Sequence, residues 1–291
     1  MNTTMELRKV SNIHIKIQKL TRKIKVYLAY FKIKFLNEIQ YKIAAIAGII
    51  TQFAWAGMYI MLYSTFLKNG TSGDYTISQM STYIWLQQAF YMMFNMWSVD
   101  KEILEQCKTG DIVMELVRPI DIYSIWHAKT LGRKSALVTL RAIPIILLCT
   151  LPVFGEYGLS WPVSMTAFIF FVITLILSVT IIMSYVMLMY VCVMKTVSDK
   201  GIRVAFQMLI EACSGSLIPI AFMPDIVIKI LKFTPFYYMQ NASFNIYNGY
   251  ITNIKEMIEI ICIQFLWLII LTAIGKKLTR KHLRKIVVQG G

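Results

Sequence analysis

The feature that most constrains this sequence is a series of six long apolar segments that alternate with short, charged ones. The hydrocarbon core of a bilayer is about 30 Å thick, so a helix that crosses it needs about 20 apolar residues. Segments of this kind are found at residues 43–66, 80–99, 128–151, 163–194, 202–222 and 257–275. We therefore predict an all-α integral membrane protein with six transmembrane helices.

The composition argues against an ordinary soluble domain. Charged residues make up 15% of the chain, whereas soluble domains carry about 25%. In a soluble protein the net charge of +15 would suggest nucleic-acid binding, but here the basic residues lie in the breaks between apolar segments. With six crossings, 25 of the 30 Lys and Arg residues fall on the side that carries both termini. The positive-inside rule therefore predicts that both termini are cytoplasmic.

We interpret the chain, residues 1–291, as a single transmembrane domain. It would consist of a cytoplasmic N-terminus (1–42), a six-span bundle (43–275) and a basic cytoplasmic tail (276–291). In the N-terminus, five apolar residues recur at helical spacing, and these are Ile24, Tyr27, Leu28, Phe31 and Phe35. With lysines mostly off this stripe, the pattern predicts an amphipathic elbow helix in the membrane interface.

A mixed-charge stretch, VDKEILEQCKTGDIVMELVRPID, separates the second and third apolar segments at residues 99–121. Its first part can extend the second helix as far as Thr109, and Gly110 suits the residue after a helix end. A second short amphipathic helix follows and ends at Pro119. Such a short helix is not stable alone, so it must dock on something. A cytoplasmic protein partner is one reading, and a solvated connector is the other.

The segment between the fifth and sixth apolar runs is too polar to span a membrane and too apolar for an ordinary loop. Ile226, Ile230 and Phe233 share a helical stripe that Pro235 ends. We predict re-entrant helices that dip into the outer leaflet and form the lid or exit of a pathway. A cap that lies on the surface without a transport role is the alternative.

Two charged residues lie near the middle of predicted spans. Arg141 lies in the third and Glu211 in the fifth, near mid-bilayer. A charge at this depth usually faces a bundle interior or a cavity. Either the two residues pair, or Glu211 faces a cavity that receives a cationic substrate. A further alternative is that the Arg141 side chain extends to the cytoplasmic surface. Since Gln207 and Ser214 add polarity near Glu211, we predict a translocation pathway along these four residues.

No catalytic or metal-binding pattern is present in the sequence. There is no G-x-x-x-x-G-K-[ST] phosphate loop, no G-x-S-x-G and no H-E-x-x-H motif. The three histidines are far apart, and no two of the five cysteines form a CxxC pair. We expect no enzyme activity, no metal and no cofactor in this chain, so the energy for transport must come from elsewhere.

Three stretches of the sequence resemble a known family. They are YTISQMSTYIWLQQA at 75–89, TGDIVMELVRPIDIY at 109–123, and LIPIAFMPDIVIKILKFTPFYYMQNASFNIYNG at 217–249. In their order, spacing and topology they resemble the permease subunits of ABC-2 transporters, in the branch that includes viologen-exporter-like permeases. The resemblance covers essentially all six spans.

The resemblance implies an exporter subunit in the plasma membrane of a bacterium. It would work with two cytoplasmic ATPase subunits, which bind ATP and Mg, and with a second permease subunit, among membrane lipids and without nucleic acid. The substrate would be drug-like, a peptide or a lipid. The stretch at 99–121 would be the coupling helix that contacts the ATPase, and a smaller contact would lie at 195–203. The implied coupling residues are Glu102, Glu105, Asp111, Ile112, Val113, Glu115, Leu116 and Arg118.

Two other functional classes remain open on the residues alone. An ion channel or a proton-coupled secondary transporter would use Glu211 and would need further intramembrane acids or an internal repeat. A membrane-embedded transferase would need a cluster of His or carboxylate side chains at the end of a span, and no such cluster is apparent.

Overall fold

The computed structural model describes residues 2–70, 75–116, 120–196 and 198–284, and within these residues the regular structure is entirely helical. The α-helices are α1 (Asn2–Ile39), α2 (Lys42–Lys68), α3 (Ile77–Phe94), α4 (Lys101–Thr109), α5 (Val113–Leu116), α6 (Ile122–Cys149), α7 (Met165–Thr196), α8 (Lys200–Cys213), α9 (Asp225–Leu231), α10 (Asn241–Tyr247) and α11 (Ile254–Leu283). The predicted all-α class is confirmed.

Three of the helices are long and apolar enough to cross a membrane, by length and composition. They are α2, α7 and α11, with 27, 32 and 30 residues. Helices α2 and α11 contain the first and sixth predicted segments, and α7 covers the fourth except for its first two residues. Large apolar side chains on these helices are exposed, such as Ile50 on α2 and Ile176 on α7. Lipid rather than water is the solvent that suits such a surface.

The second and third predicted segments form helices whose residues are more polar. Helix α3 has 18 residues and ends at Phe94, five residues before the predicted boundary, and α6 begins at Ile122 rather than residue 128. Helix α3 runs through the interior, where even its glutamines Gln87 and Gln88 are buried. These two helices thus hold polar groups that the apolar helices around them shield.

The prediction of a continuous fifth helix to residue 222 was wrong. Helix α8 ends at Cys213, and the chain turns at Gly215, whose φ of 82° favours glycine. The backbone carbonyl groups after the end of α8 accept hydrogen bonds from side chains of neighbouring helices. The Tyr83 hydroxyl donates to Gly215 O at 3.1 Å, and the Tyr63 hydroxyl donates to Leu217 O at 2.7 Å. Within a membrane, backbone carbonyl groups outside a helix need hydrogen-bond donors from the protein, because the lipid provides none.

The segment between α8 and α11 contains one exposed helix and one buried helix. On α9, Ile226 is 73% exposed and Ile230 is 60% exposed. By contrast, every residue of α10 is buried, and Phe244 packs edge-to-face against Tyr83. The short helices that we predicted here are therefore present. Their position in the outer leaflet stays a prediction.

The N-terminal helix is longer than the predicted elbow and packs along α6. Arg133 of α6 pairs with Glu38 of α1. Near this pair the two backbones touch, because a Cβ placed on Gly132 would lie less than 3.0 Å from the carbonyl oxygen of Phe31. Glycine is therefore the residue that allows α1 and α6 to approach this closely.

We expect Gly132→Ala to destabilise the protein by about 1–3 kcal/mol, because the added methyl group meets backbone that has to move. Gly57→Ala is the matched control. Gly57 also lies in a helix, and a Cβ there meets nothing within 4 Å. The control should be neutral or stabilising by about 0.5–1 kcal/mol. Thermal unfolding of both variants in detergent checks this, and equal melting temperatures would contradict the close contact.

Candidate functional site

A cavity of about 460 Å³ lies between α2, α3, α6 and the end of α8. Its lining residues are Gly48, Thr51, Gln52, Trp55, Tyr59, Gln87, Gln88, Tyr91, Arg141, Glu211, Ser216 and Leu217. Two of the four predicted pathway residues, Arg141 and Glu211, therefore lie at one site although 70 positions separate them in sequence. Among its lining residues, Trp55 on α2 is 48% exposed and Leu217, four residues after the end of α8, is 50% exposed, so the cavity reaches the surface of the chain.

The guanidinium group of Arg141 reaches across to α2 and lies against Gly48. A Cβ on Gly48 would fall less than 3.0 Å from the guanidinium carbon. One Arg141 nitrogen donates to the sulfur of Met92 at 3.2 Å, and Nε has no hydrogen-bond partner. A thioether is a weak acceptor. The hydrogen-bonding capacity of Arg141 is therefore largely unused.

Glu211 is held by its own helix. Gln207 Nε2, one turn earlier on α8, donates to Glu211 Oε1 at 2.7 Å. Gln207 is buried, and its Oε1 accepts from the backbone N–H of Met96 at 2.6 Å. Gln207 is not itself in the cavity wall and instead orients the carboxylate. None of the ion pairs among the described residues includes Glu211 or Arg141, so the direct pair that we considered is not formed.

Ser214, the fourth predicted pathway residue, is buried behind the cavity. Its hydroxyl donates to Ile210 O at 2.6 Å and accepts from Gln240 Nε2 at 3.1 Å. These contacts fasten the end of α8 to the start of α10. The structure thus places Ser214 in the support of the site, while Ser216, two residues further, lines the cavity.

Our sequence reasoning missed several polar side chains of the cavity. Gln52 is only 4% exposed, and neither of its amide atoms has a hydrogen-bond partner. Gln87 donates to the carbonyl oxygen of Ser216. The available signal was a set of glutamines inside apolar segments, which are expensive to bury and often mark functional positions.

Lys134 of α6 is a buried basic residue that lies at the C-terminal end of α3. Its side chain is completely buried, and Nζ donates to the carbonyl oxygens of Met93 at 3.0 Å and Asn95 at 2.5 Å and to Ser98 Oγ at 2.8 Å. The last carbonyl groups of a helix carry partial negative charge, so a cation there is favourable. Lys134 therefore joins α6 to the point where α3 breaks and the chain turns towards α4.

The segment predicted to couple to an ATPase begins at a buried carboxylate. Asp100 accepts from the Glu102 N–H as the N-cap of α4 and pairs with Lys34 of α1 at 2.9 Å. Lys34 also pairs with Glu102 at 2.6 Å. The hydrogen bond from Lys34 holds the pKa of Glu102 below its usual range, and Lys129 nearby adds to this effect. Helix α4 is thus tied to the N-terminal helix.

Two of the implied coupling residues are used inside the chain. Glu115 is buried, where it accepts from Lys129 Nζ at 2.7 Å and from Trp126 Nε1 at 3.1 Å. Ile112 is completely buried in the core. In this structure both residues therefore fix the segment to α6 and the core, and they are not part of its outer surface.

Other residues of the segment face outwards. Glu102, Glu105, Asp111 and Leu116 are exposed, with Leu116 at 43%. Val113 begins α5, and Arg118 lies outside the described residues. The outer surface therefore carries three carboxylates, the side chain of Lys101 and one apolar side chain. We name Glu105, Asp111 and Leu116 the outer face of the segment.

The loop between α7 and α8 lies beside this segment. Asp199 pairs with Arg203 at 2.6 Å and lies 3.9 Å from Lys108 of α4. The Arg203 guanidinium lies 4.5 Å from the centre of the Trp97 ring. The two predicted contact regions are therefore joined. No group of three or more His, Cys, Asp or Glu suited to a metal occurs in the described part of the chain.

Comparison with known protein families gives a match to the model of ABC-2 family transporter proteins over residues 53–290. The chain belongs to the ABC-2 transporter family. A comparison with curated proteins finds no significant match. As an ABC-2 permease, the chain is a multi-pass membrane transport subunit that has no ATPase of its own. Permeases of this family generally have ABC ATPases as partners.

We expect Lys134→Met to destabilise this permease by about 1–3 kcal/mol, because Met is similar in length but leaves buried carbonyl groups without a donor. The control is Lys195→Met at the end of α7, where the side chain is exposed. Thermal unfolding in detergent should show a lower melting temperature for the first variant and little change for the second. A stable Lys134→Met protein would contradict the capping role.

The ion pairs of Glu102 predict a response to acid. Because its folded-state pKa is lowered, Glu102 stabilises the protein above its ordinary pKa of about 4.3, and this stabilisation is lost as the pH falls below that value. Between pH 6 and pH 4, the melting temperature of Glu102→Gln should therefore fall less than that of the original protein. Glu156→Gln, a change at an exposed carboxylate, should behave like the original protein.

Proposed function

We propose that this permease is half of the membrane part of an ATP-driven exporter in the bacterial plasma membrane, in the viologen-exporter-like branch. It would cross the membrane six times, through α2, α3, α6, α7, α8 together with the irregular chain that follows it, and α11, with both termini in the cytoplasm. Two ATPase subunits would supply the energy and bind ATP and Mg. The observation that carries the proposal is the α4–α5 segment, which is anchored on its inner side and presents charges on its outer face.

The cavity between α2, α3, α6 and α8 is the proposed substrate pathway. It reaches the surface at Trp55 and Leu217, and apolar side chains on α2 and α8 such as Met58 and Met208 are also exposed. A second permease subunit, identical or different, would close this side. The substrate would then be held between two subunits, and it could be drug-like, a peptide or a lipid.

Movement would pass from the ATPase to the cavity through contacts described above. The outer face of the α4–α5 segment would contact the ATPase. The inner side of this segment is joined to α6 by Glu115 and Lys129 and to α1 by Lys34. Because α6 carries Arg141, a displacement of the segment would reach the wall of the cavity.

A second candidate function is a channel or a proton-coupled transporter. The observation that favours it is Glu211, a carboxylate that lines the cavity and has no ion-pair partner among the described residues. Such a carboxylate can exchange a proton during transport. In that case no ATPase would be needed.

Copurification separates the two candidates. We expect a stoichiometric ABC ATPase to copurify with the tagged permease from its native membrane in mild detergent. The triple variant Glu105→Lys, Asp111→Lys, Leu116→Ser should lose the ATPase, because it reverses the charges of the outer face and removes its apolar contact.

The matched control changes three exposed residues of the same types elsewhere. Glu156→Lys, Asp225→Lys, Ile226→Ser should keep the ATPase bound, since these residues lie far along the chain from the α4–α5 segment. Purification of an intact permease without any nucleotide-binding subunit, under conditions that preserve other membrane complexes, would refute the exporter and favour the function based on Glu211.

A further inference from the structure

The cavity contains one cation and one anion, and its other lining residues are uncharged. Arg141 and Glu211 are the charged side chains of its wall, so their formal charges cancel. A ligand that is only a cation would suit Glu211 but would also lie near the positive charge of Arg141. A ligand that is only an anion would suit Arg141 but would lie near the negative charge of Glu211. The composition of the wall therefore favours a ligand that carries both charges.

Both charges also have unused binding capacity. Arg141 donates to a thioether sulfur, and its Nε has no partner. Glu211 accepts from the neutral amide of Gln207. A charge in a membrane interior is costly unless an opposite charge or good hydrogen bonds compensate it. A guanidinium group binds carboxylate or phosphate well, and a carboxylate binds an ammonium group well.

Gln52 adds an independent sign of a missing ligand. It lines the same cavity, is 4% exposed, and has no hydrogen-bond partner for either its amide nitrogen or its amide oxygen. Buried amides normally have partners. A ligand with both a donor and an acceptor, such as a peptide group, could supply them.

The rest of the wall combines the aromatic side chains of Trp55, Tyr59 and Tyr91 with Leu217 and uncharged polar side chains. The rings of Trp55 and Tyr59 stack with their centres 5.7 Å apart, and both residues line the cavity. The volume of about 460 Å³ falls within the range of about 300–1,000 Å³ that is usual for small-molecule sites. The site can therefore hold the headgroup of an amphiphile or a few residues of a peptide, next to an apolar surface.

From these observations we infer that the cavity binds a zwitterionic amphiphile. Its anionic group, a carboxylate or a phosphate, binds Arg141, and its ammonium group binds Glu211. Its apolar body lies against Trp55 and Tyr59. A short apolar peptide with free termini and a phospholipid headgroup share this chemistry. The inference rests on the proposed substrate pathway and names the class of substrate.

Binding of capped peptides to the full-length permease tests the inference. The protein is placed in nanodiscs of phosphatidylglycerol, and tryptophan emission follows binding because Trp55 lines the cavity. The probes are trileucine, N-acetyl-trileucine, trileucine amide and the doubly capped peptide. Trileucine should bind at least about tenfold more tightly than either singly capped peptide, because each cap removes one charge-assisted contact.

Two variants test which charged group of the peptide binds Glu211 and which binds Arg141. In Glu211→Gln, acetylation should no longer weaken binding, whereas amidation still should. In Arg141→Gln the pattern should be reversed. Such loss of coupling identifies directly interacting groups. The matched controls Glu156→Gln and Lys229→Gln, at exposed positions on other segments, should keep the original pattern.

Binding of two lysophospholipids shows whether the natural ligand is a lipid or a peptide. Lysophosphatidylethanolamine carries both charges, and lysophosphatidic acid lacks the ammonium group. A preference for the first lipid that disappears in Glu211→Gln, without binding of the peptides, would support the inference and identify a lipid as the source. The peptide pattern alone would identify a peptide.

Two results would overturn the inference. One is equal binding of all four peptides together with equal binding of both lipids, and the other is tighter binding of trileucine amide than of trileucine. The comparison of peptides on the original protein needs no variant, so poor folding of a variant cannot hide the answer. Retention of the ATPase by the Arg141 and Glu211 variants, measured separately, would show that the proposed exporter stands even if the inference fails.

Discussion

The burial of Lys134 at the end of α3 is the interaction on which the arrangement of this permease depends. A completely buried ammonium group is tolerable only if its protons are used, and here they bind backbone carbonyls and a hydroxyl. This requirement fixes the rotation of α6 relative to α3. Arg141 lies seven residues further on α6, and therefore on the same face two turns away. The cation that ends α3 and the cation that lines the cavity thus both contact Met92, one at its carbonyl group and the other at its sulfur.

The start of α4 is held by contacts of Asp100 with two other helices, α7 and α1. The Tyr190 hydroxyl of α7 accepts from the Asp100 N–H at 3.0 Å and lies 3.0 Å from Thr130 Oγ1 of α6. Asp100 in turn binds Lys34 of α1. Four helices therefore meet where the chain leaves the bundle. The α4–α5 segment is an extension of the core, and its outer face is presented by a rigid support.

Much of the fold could be predicted because it follows from local patterns of hydrophobicity. The apolar runs that become α2, α7 and α11 are unambiguous, and Gly110, with a φ of 84°, ends α4 where the sequence places a helix end. The break after Cys213 could not be predicted in the same way. It depends on donors such as Tyr63 and Tyr83, which come from helices far away in sequence.

In the site, too, local sequence patterns predict some features, and contacts between helices that are distant in sequence decide the others. Single charges inside apolar segments indicated Arg141 and Glu211, but only the packing of four helices shows that they share a cavity. Glu115 had the pattern of an exposed charge on an amphipathic helix, yet Lys129 and Trp126 bury it. A sequence pattern gives the face of a helix on which a residue lies. It does not tell whether a neighbouring helix supplies a partner on that face.

The contact of Phe31 with Gly132 has a mechanical consequence. Two helices whose backbones touch cannot slide past each other without losing the contact, so α1 and α6 must move together. Helix α1 has 38 residues and at about 1.5 Å per residue it is about 57 Å long. Phe31 lies eight residues before the end of this helix, so most of α1 extends to one side of the contact with Gly132. A tilt of α6 that α1 follows would therefore displace the N-terminal end of α1 much further than the residues at the contact.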